Sequence, residues 1–263
     1  MIKKNLKNSV ILSSNSSHYI HSALAYDKNS LLKRFITSFM IEEKFYHKIL
    51  GSKKDILRNR YLNGISKSKV KNFFVPELIL KFERIFTQKN ISQLYKKQNS
   101  MYGELTNEFL KTIDYKIFHF VSGLGLEPME DAKKKGALVI CDTRSIYYKA
   151  EMELMKKEKL RSGYEWLLPE VEFFDRLDAE YEKSDIILVN SNFSKKTFID
   201  AGFSENKIKT LHLGVDNKKF NKNDESTFDE SKFRIAFVGT INERKGFHIL
   251  FDAWKDFKNE KTE

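Results

Sequence analysis

The sequence predicts an α/β fold, a Rossmann-like domain on a mainly parallel sheet followed by the first β-α unit of a second one. Two observations carry the prediction. Short apolar runs of strand length alternate with longer stretches whose apolar residues recur at helical spacing. After a polar gap, a further apolar run ends at Gly239, and Arg244-Lys245-Gly246 leads into Phe247, Leu250, Phe251 and Trp254 at helical spacing.

In chain order the strands are predicted at residues 10–13, 117–121, 137–141, 186–189, 208–213 and 234–238. Helices are predicted around residues 31–50, 77–97, 127–135, 146–161, 171–183 and 195–201. Glu77 follows Pro76, so that helix opens on a proline and an acidic first turn. Residues 51–75, with Gly51-Ser52 and Asn63-Gly64, read as helix and loop rather than strand. Residues 217–232 are polar and nearly free of aliphatic side chains, which marks a linker. The predicted organisation is an N-terminal domain over 1–216 with a helical insertion at about 41–100, a linker over 217–232, and the start of a C-terminal domain over 233–263.

The 263 residues are 41% hydrophobic and 13% aromatic, enough for a packed core and against wholesale disorder. One cysteine, Cys141, allows no intramolecular disulfide, and a reducing, cytoplasmic compartment fits best. The apolar run Val10 to Leu12 is too short for a signal-peptide core or a membrane span. The net charge of +11 belongs to one region, because residues 1–100 hold 20 Lys and Arg against 6 Asp and Glu. Basic residues between 53 and 97 are interleaved with Tyr61, Phe73 and Phe74. Three readings are open: a solvated lysine-rich face, attraction to an anionic membrane surface, or a phosphate-bearing acceptor. No RNA- or DNA-reading motif accompanies the charge, so nucleic acid is not expected as a partner.

Several short segments have physical readings of their own. Ser191 and Ser194 follow an apolar strand, Ser194 suits the N-cap of the 195–201 helix, and Gly202 suits the position just beyond its end. Gly214 and Asp216 would shape the exit into the linker. Polar groups at strand ends that could hydrogen-bond a sugar hydroxyl are His119 and Asp142, with His18 on the first loop. Arg244 can fork onto phosphate oxygens and Lys245 adds a point charge, beside backbone amides at a helix start.

The block Ser184-Asp185-Ile186-Ile187-Leu188-Val189-Asn190-Ser191, then Gly202, Lys207-Ile208 and Gly214-Val215-Asp216 with Phe220, resembles the end of the N-terminal domain in GT-B-fold glycosyltransferases of the family 4, group 1 type. Ser184 stands where that family usually has Ala. Phe237-Val238-Gly239 with Lys245-Gly246 and Ala253-Trp254 resembles the start of the family's second domain. Weaker likenesses reach back through Asp114 to His119 and Ala132 to Gly136 to Ser13-Ser14-Asn15. Two departures stand out: Thr240 follows the first Gly where many members carry Arg, and the loop Thr143-Arg144-Ser145 has no His.

The resemblance implies a retaining, metal-independent glycosyltransferase that takes a nucleotide-sugar donor and needs no cofactor. Gly239, Arg244 and Lys245 would bind the donor phosphates, and His119 and Asp142 are the catalytic candidates. The acceptor would be a glycan or lipid-linked saccharide, with the protein cytoplasmic and peripheral at the inner face of the membrane through residues 53–97. The family's later acidic motif, two Glu eight positions apart, does not follow residue 246, so the resemblance also implies a truncated second domain. The alternative reading is therefore an inactive fragment that acts at most as a binding domain. No Asp-x-Asp after a strand, His-Glu-x-x-His or complete P-loop points to metal or NTP chemistry.

Overall fold

The computed structural model describes residues 6–42, 61, 62, 64–86, 91–163, 174–215 and 233–257. The elements in order are β1 Val10–Ser13, α1 Ile20–Lys28, β2 Leu32–Thr37, β3 Ile41–Glu42, β4 Tyr61–Leu62, β5 Val70–Asn72, α2 Val75–Phe86, α3 Ile91–Lys111 and β6 Ile117–Val121. There follow α4 Leu126–Lys134, β7 Leu138–Asp142, α5 Tyr148–Ser162, α6 Phe174–Lys183, β8 Ile186–Val189, α7 Asn192–Asp200, β9 Ile208–Thr210 and α8 Phe247–Phe257. The α/β class is the one the sequence predicts.

Seven strands form one sheet in the order β5-β2-β1-β6-β7-β8-β9, and every neighbouring pair is parallel. The chain winds outward from β1, then returns to β6 and winds the other way. That reversal opens a crevice beyond the carboxyl ends of β1 and β6, where open α/β sheets hold ligands. The central strands are apolar but for Ser13, His119 and Asp142, as suits a parallel sheet with helices on both faces. On one face Leu12, Leu32 and Phe35 pack with Tyr19 and Ala23 of the α1 segment. On the other, the stacked rings of Phe118 and Phe120 lie 5.2 Å apart beneath α4.

A buried ionic lock joins α3, α4 and α6. Glu180 is fully buried, and its carboxylate accepts from the backbone N–H groups of Gly123, Gly125 (2.8 Å) and Leu126 (3.0 Å). These are the orphan donors at the start of α4, and a carboxylate also suits the positive end of the helix. Arg176 donates through Nε to the Gly123 carbonyl at 2.7 Å and forks onto both oxygens of Glu127, which also accepts from Ser100 at 2.9 Å. The lock leaves α3 no room for a side chain at Gly103, where a Cβ would stand 1.8 Å from Glu127 Oε2.

The β8 motif is likewise structural. Asp185 binds the start of β7 twice, its N–H donating to the Val139 carbonyl at 2.9 Å and its carboxylate accepting from the Val139 N–H at 2.8 Å. Ser191, not Ser194, caps the following helix, its hydroxyl accepting from the Ser194 N–H at 3.0 Å. That helix starts three residues earlier than predicted, at Asn192, and Gly202 follows its C-cap with φ +95°.

Four further expectations are corrected. The predicted helix over 31–50 is strand in its described part, β2 and β3, because Leu32, Phe35 and Ile36 are buried between β1 and β5. Within 51–75, read as helix and loop, Val70–Asn72 is an edge strand; residues 43–60 lie outside the described residues. The 208–213 strand stops at Thr210, beyond which Leu211 and Leu213 are exposed. The run 234–238 makes no ladder among the described residues, and Val238 is 95% exposed. A parallel strand needs neighbours to satisfy its backbone and cover its faces.

The chain divides into two compact units, Met1–Tyr148 with Pro169–His212, and Lys149–Leu168 with Leu213–Glu263. The division places most of α5 with the C-terminal segment, whereas the sequence groups it with the first domain. The predicted linker lies outside the described residues.

Two predictions come from the lock. A mid-helix Gly→Ala exchange normally stabilises by about 1 kcal/mol, but Gly103→Ala must displace the Glu127–Arg176 pair. It is expected to destabilise by about 1–3 kcal/mol in urea unfolding; a stabilised variant would refute the packing. Burial raises the Glu180 carboxyl from 4.5 to about 7, with Arg176 and the amides pulling against it. A folded-state pKa above the unfolded value means the native state holds the proton more tightly. This group's contribution to stability is therefore fullest below pH 4.5 and falls by about 3 kcal/mol by pH 8. Glu180→Gln should flatten that part of the stability–pH curve, and an unchanged slope would show that the titration is not its own.

Candidate active site

The sheet register brings the two catalytic candidates together. His119 sits opposite Leu12 of β1 and Ile140 of β7, and Asp142 closes β7 opposite Val121. Since alternate strand residues share a face, His119 and Asp142 project to the same side, with Asp142 one pleat nearer the crevice. His119 Nε2 lies 3.2 Å from Asp142 Oδ2, and its Nδ1 lies 2.9 Å from the Tyr26 hydroxyl on α1. The Tyr26 ring stands edge-on to the imidazole at 5.8 Å.

Donor and acceptor inventories allow a proton arrangement that satisfies all three groups. In the tautomer with its proton on Nε2, the ring donates to the Asp142 carboxylate, and Nδ1 accepts from the Tyr26 O–H. Burial, helped by the Asp142 charge, pushes the Tyr26 phenol up to about 12, so it stays protonated at neutral pH. His119 is 3% exposed with both nitrogens engaged inside the protein. Its ring therefore orients the Asp142 carboxylate and is itself oriented by Tyr26.

Around this triad lie groups that sequence reasoning did not single out. Arg144, two residues past Asp142, lays its guanidinium 3.8 Å over the Tyr19 ring. The Tyr19 hydroxyl is buried, feels both Asp142 and Arg144, and has its pKa raised by burial first and by Asp142 second. Tyr19 and Tyr26 stand seven residues apart with Ala23 between, the helical spacing that could have marked them as one face. Ser13, at the end of β1, donates to the Tyr102 hydroxyl at 3.3 Å. His18 is exposed on the turn before α1.

The loop after β7 is held from below. The Thr143 N–H donates to the Leu188 carbonyl, Asn190 Nδ2 donates to the Arg144 carbonyl (both 2.9 Å), and the Tyr147 N–H donates to Thr197 Oγ1 at 3.0 Å. Asn190 belongs to the block that carries the family resemblance and Thr197 to the helix that follows its strand, and here both fix backbone.

The second unit holds the phosphate candidates. Gly239 has φ +155°, and Arg244 and Lys245 occupy a single 3-10 turn before Gly246 (φ +70°) and α8. Both side chains are exposed, and Arg244 lies 3.9 Å from Glu151, a loose contact that leaves guanidinium donors for a ligand. The turn is braced by the Lys245 N–H, which donates to Asn242 Oδ1 at 3.1 Å. His248 Nε2 lies 3.2 Å from Glu158, whose carboxyl is held down at about 2, chiefly by Arg161. Among the described residues no cluster of three His, Cys, Asp or Glu could hold a metal, and no helix is long and apolar enough to cross a membrane.

No protein-family model matches the chain. It is similar to an uncharacterized 41.2 kDa protein in the cps region of Klebsiella pneumoniae, 30% identical over 89 residues, which are 32% of this chain and 24% of that protein. Among solved structures it is similar to Anabaena HepE in complex with UDP-glucose, with a TM-score of 0.50 and 12% identity over 96% of this chain and 58% of HepE. HepE in complex with UDP and glucose gives 0.51 and 13%, over 97% and 59%. The chain thus spans under two thirds of HepE's length. At such identity the likeness is one of fold: the parallel α/β architecture implied by the GT-B resemblance is the one these structures share.

Proposed function

We propose that this chain is the acceptor-side domain, with the opening of the donor-side domain, of a glycosyltransferase that uses a nucleotide-diphosphate sugar. The observation that carries the reading is the match in fold to HepE across nearly the whole chain, together with the ligands that HepE holds. In the proposal a glycan or lipid-linked acceptor enters the crevice beyond β1 and β6, and Asp142 hydrogen-bonds its hydroxyl. His119 and Tyr26 set the direction of that carboxylate. The donor diphosphate is taken by Gly239, Arg244, Lys245 and the amides that start α8. Their positive charge would stabilise the departing diphosphate electrostatically, with no metal and no cofactor required, and transfer would retain the anomeric configuration.

The test is direct. Purified chain should bind UDP with micromolar affinity in calorimetry and release UDP from UDP-glucose or a related donor. The Arg244→Ala, Lys245→Ala double variant should weaken UDP binding by roughly tenfold or more. Asp142→Asn should lower turnover without changing UDP affinity. Binding without turnover would favour the alternative, a non-catalytic binding domain; absence of binding would sink the donor assignment.

We also propose that α2 meets an anionic membrane. Phe74, Leu78, Phe82, Ile85 and Phe86 are all exposed and fall on one helical face. They lie in the basic third of the chain, which supplies long-range attraction while the apolar face supplies insertion. Co-sedimentation with phosphatidylglycerol vesicles is expected at low salt and not with phosphatidylcholine. Phe82→Asp with Ile85→Asp should abolish it, and equal binding by that variant would remove α2 from the interface.

A further inference from the structure

We propose that Arg144, mounted on Tyr19, is a binding site for an oxyanion carried by the acceptor: the carboxylate of an acidic sugar or a phosphate. This deepens the acceptor-side reading of the first unit and rests on it.

The guanidinium is presented in an unusual way. Its face is taken by the Tyr19 ring at 3.8 Å, which fixes its plane. Its five N–H donors lie in that plane, at the edge, and match the two oxygens of a carboxylate or phosphate. Among the described residues no carboxylate stands within ion-pair distance of it. The nearby Asp142 is engaged by His119 instead. Arg176, by contrast, is also packed in this unit but is spent on Glu127 and the Gly123 carbonyl. A half-buried cation with open donors is costly unless something completes it.

A second observation points into the same place. Tyr19 is 2% exposed, and its buried hydroxyl makes no close hydrogen bond of its own, with the Asp142 carboxylate and the Arg144 guanidinium as the charged groups nearest to it. Arg144 and Asp142 both act electrostatically on that hydroxyl, and Arg144 lies over its ring. An oxygen of a bound anion would accept from it as well as from the guanidinium.

The site is also preorganised. Asn190 Nδ2 donates to the Arg144 carbonyl at 2.9 Å, and the flanking amides of Thr143 and Tyr147 are tied to Leu188 and Thr197. The loop therefore pays little ordering entropy when a ligand arrives. Its position, immediately beyond β7 in a parallel sheet, is where ligands of such folds bind. Acceptors that carry no negative charge would leave the guanidinium unmatched, so the residue selects among acceptors.

The test uses the full chain carrying Arg244→Ala and Lys245→Ala, so that anions cannot report the second unit. Glucuronate, glucose 6-phosphate and glucose are titrated by ligand-observed NMR. At least one anion should bind roughly tenfold tighter than glucose. Arg144→Gln should remove that preference, Arg144→Lys should keep part of it, and Tyr19→Phe should weaken it a few-fold. Preference for glucuronate alone identifies an acidic sugar; preference for glucose 6-phosphate alone identifies a phosphate-bearing acceptor. Anions bound no better than glucose, or equally by Arg144→Gln with unchanged thermal unfolding, would overturn the proposal. Should Arg144→Gln fail to fold, an Arg144→Lys variant indistinguishable from Tyr19→Phe and the parent for all three probes would also overturn it. Anion selectivity without any glycosyl transfer in the parent chain would sink the enzymatic reading alone; transfer without selectivity would sink this one alone.

Discussion

The turn from Ser122 to Leu126 has to be gripped for the rest of the first unit to hold. It ends β6, which carries His119, and it begins α4, whose first amides would otherwise be buried without partners. Glu180 supplies three acceptor contacts there, and Arg176 closes the ring by taking the Gly123 carbonyl. A carboxylate with no exposure is a poor choice for stability alone, since the desolvation cost rivals the gain. It is a good choice for geometry, because a single rigid group addresses amides that no water can reach. The turn that ends β6 at the β1–β6 switch therefore rests on a helix, α6, more than fifty residues further along the chain.

The same sheet carries polarity through its centre. Ser13, His119 and Asp142 are buried among strands that are otherwise apolar. Each is answered by an aromatic hydroxyl or by another member of the set: Ser13 by Tyr102, His119 by Tyr26 and Asp142. Phenols serve this purpose because they bring apolar surface to the core and a single hydroxyl that can donate to, or accept from, the polar group. A buried polar chain that is satisfied at every link is rigid. Rigidity of that kind is what a site needs to hold a carboxylate in one direction while an acceptor exchanges.

The strands at 10–13, 117–121 and 186–189 were legible to the residue, because compact apolar runs bounded by polar turns leave little else to form. The 31–50 region was not. Leu31, Leu32, Phe35, Ile36, Phe39 and Met40 recur at three- and four-residue spacing, and a strand buried on both faces gives the same pattern as a buried helix. Val70–Asn72 was invisible for the opposite reason: an edge strand needs few apolar residues. Of the site, His119 and Asp142 were visible as polar residues at strand ends. Tyr26, 93 positions from His119, and Arg144 over Tyr19 were not, because no periodicity encodes a contact across βαβ crossovers. The residues most conspicuous as motif, Asp185, Asn190 and Ser191, turned out to anchor backbone.

The basic third shows how charge read from sequence changes once partners are known. Among the described residues Lys69 pairs with Asp27, Lys81 with Glu77 and Lys97 with Glu83. Lys71 lies over the rings of Phe73 and Phe109, 5.4 and 5.2 Å from their centroids. With 20 basic against 6 acidic residues in positions 1–100, such pairing leaves the region strongly positive while fixing some of its cations close to the protein. A positive surface of this kind would serve nucleic acid and lipid headgroups alike through screened attraction over about 10 Å. What separates the two is the apolar face of α2. Exposed Ile85 and Leu78 offer nothing to a base or a phosphate, whereas lipid chains reward each buried methylene by about 0.8 kcal/mol. The combination of a positive field with an aliphatic and phenylalanine face is what the membrane proposal rests on, and charge alone would not have separated it from nucleic acid.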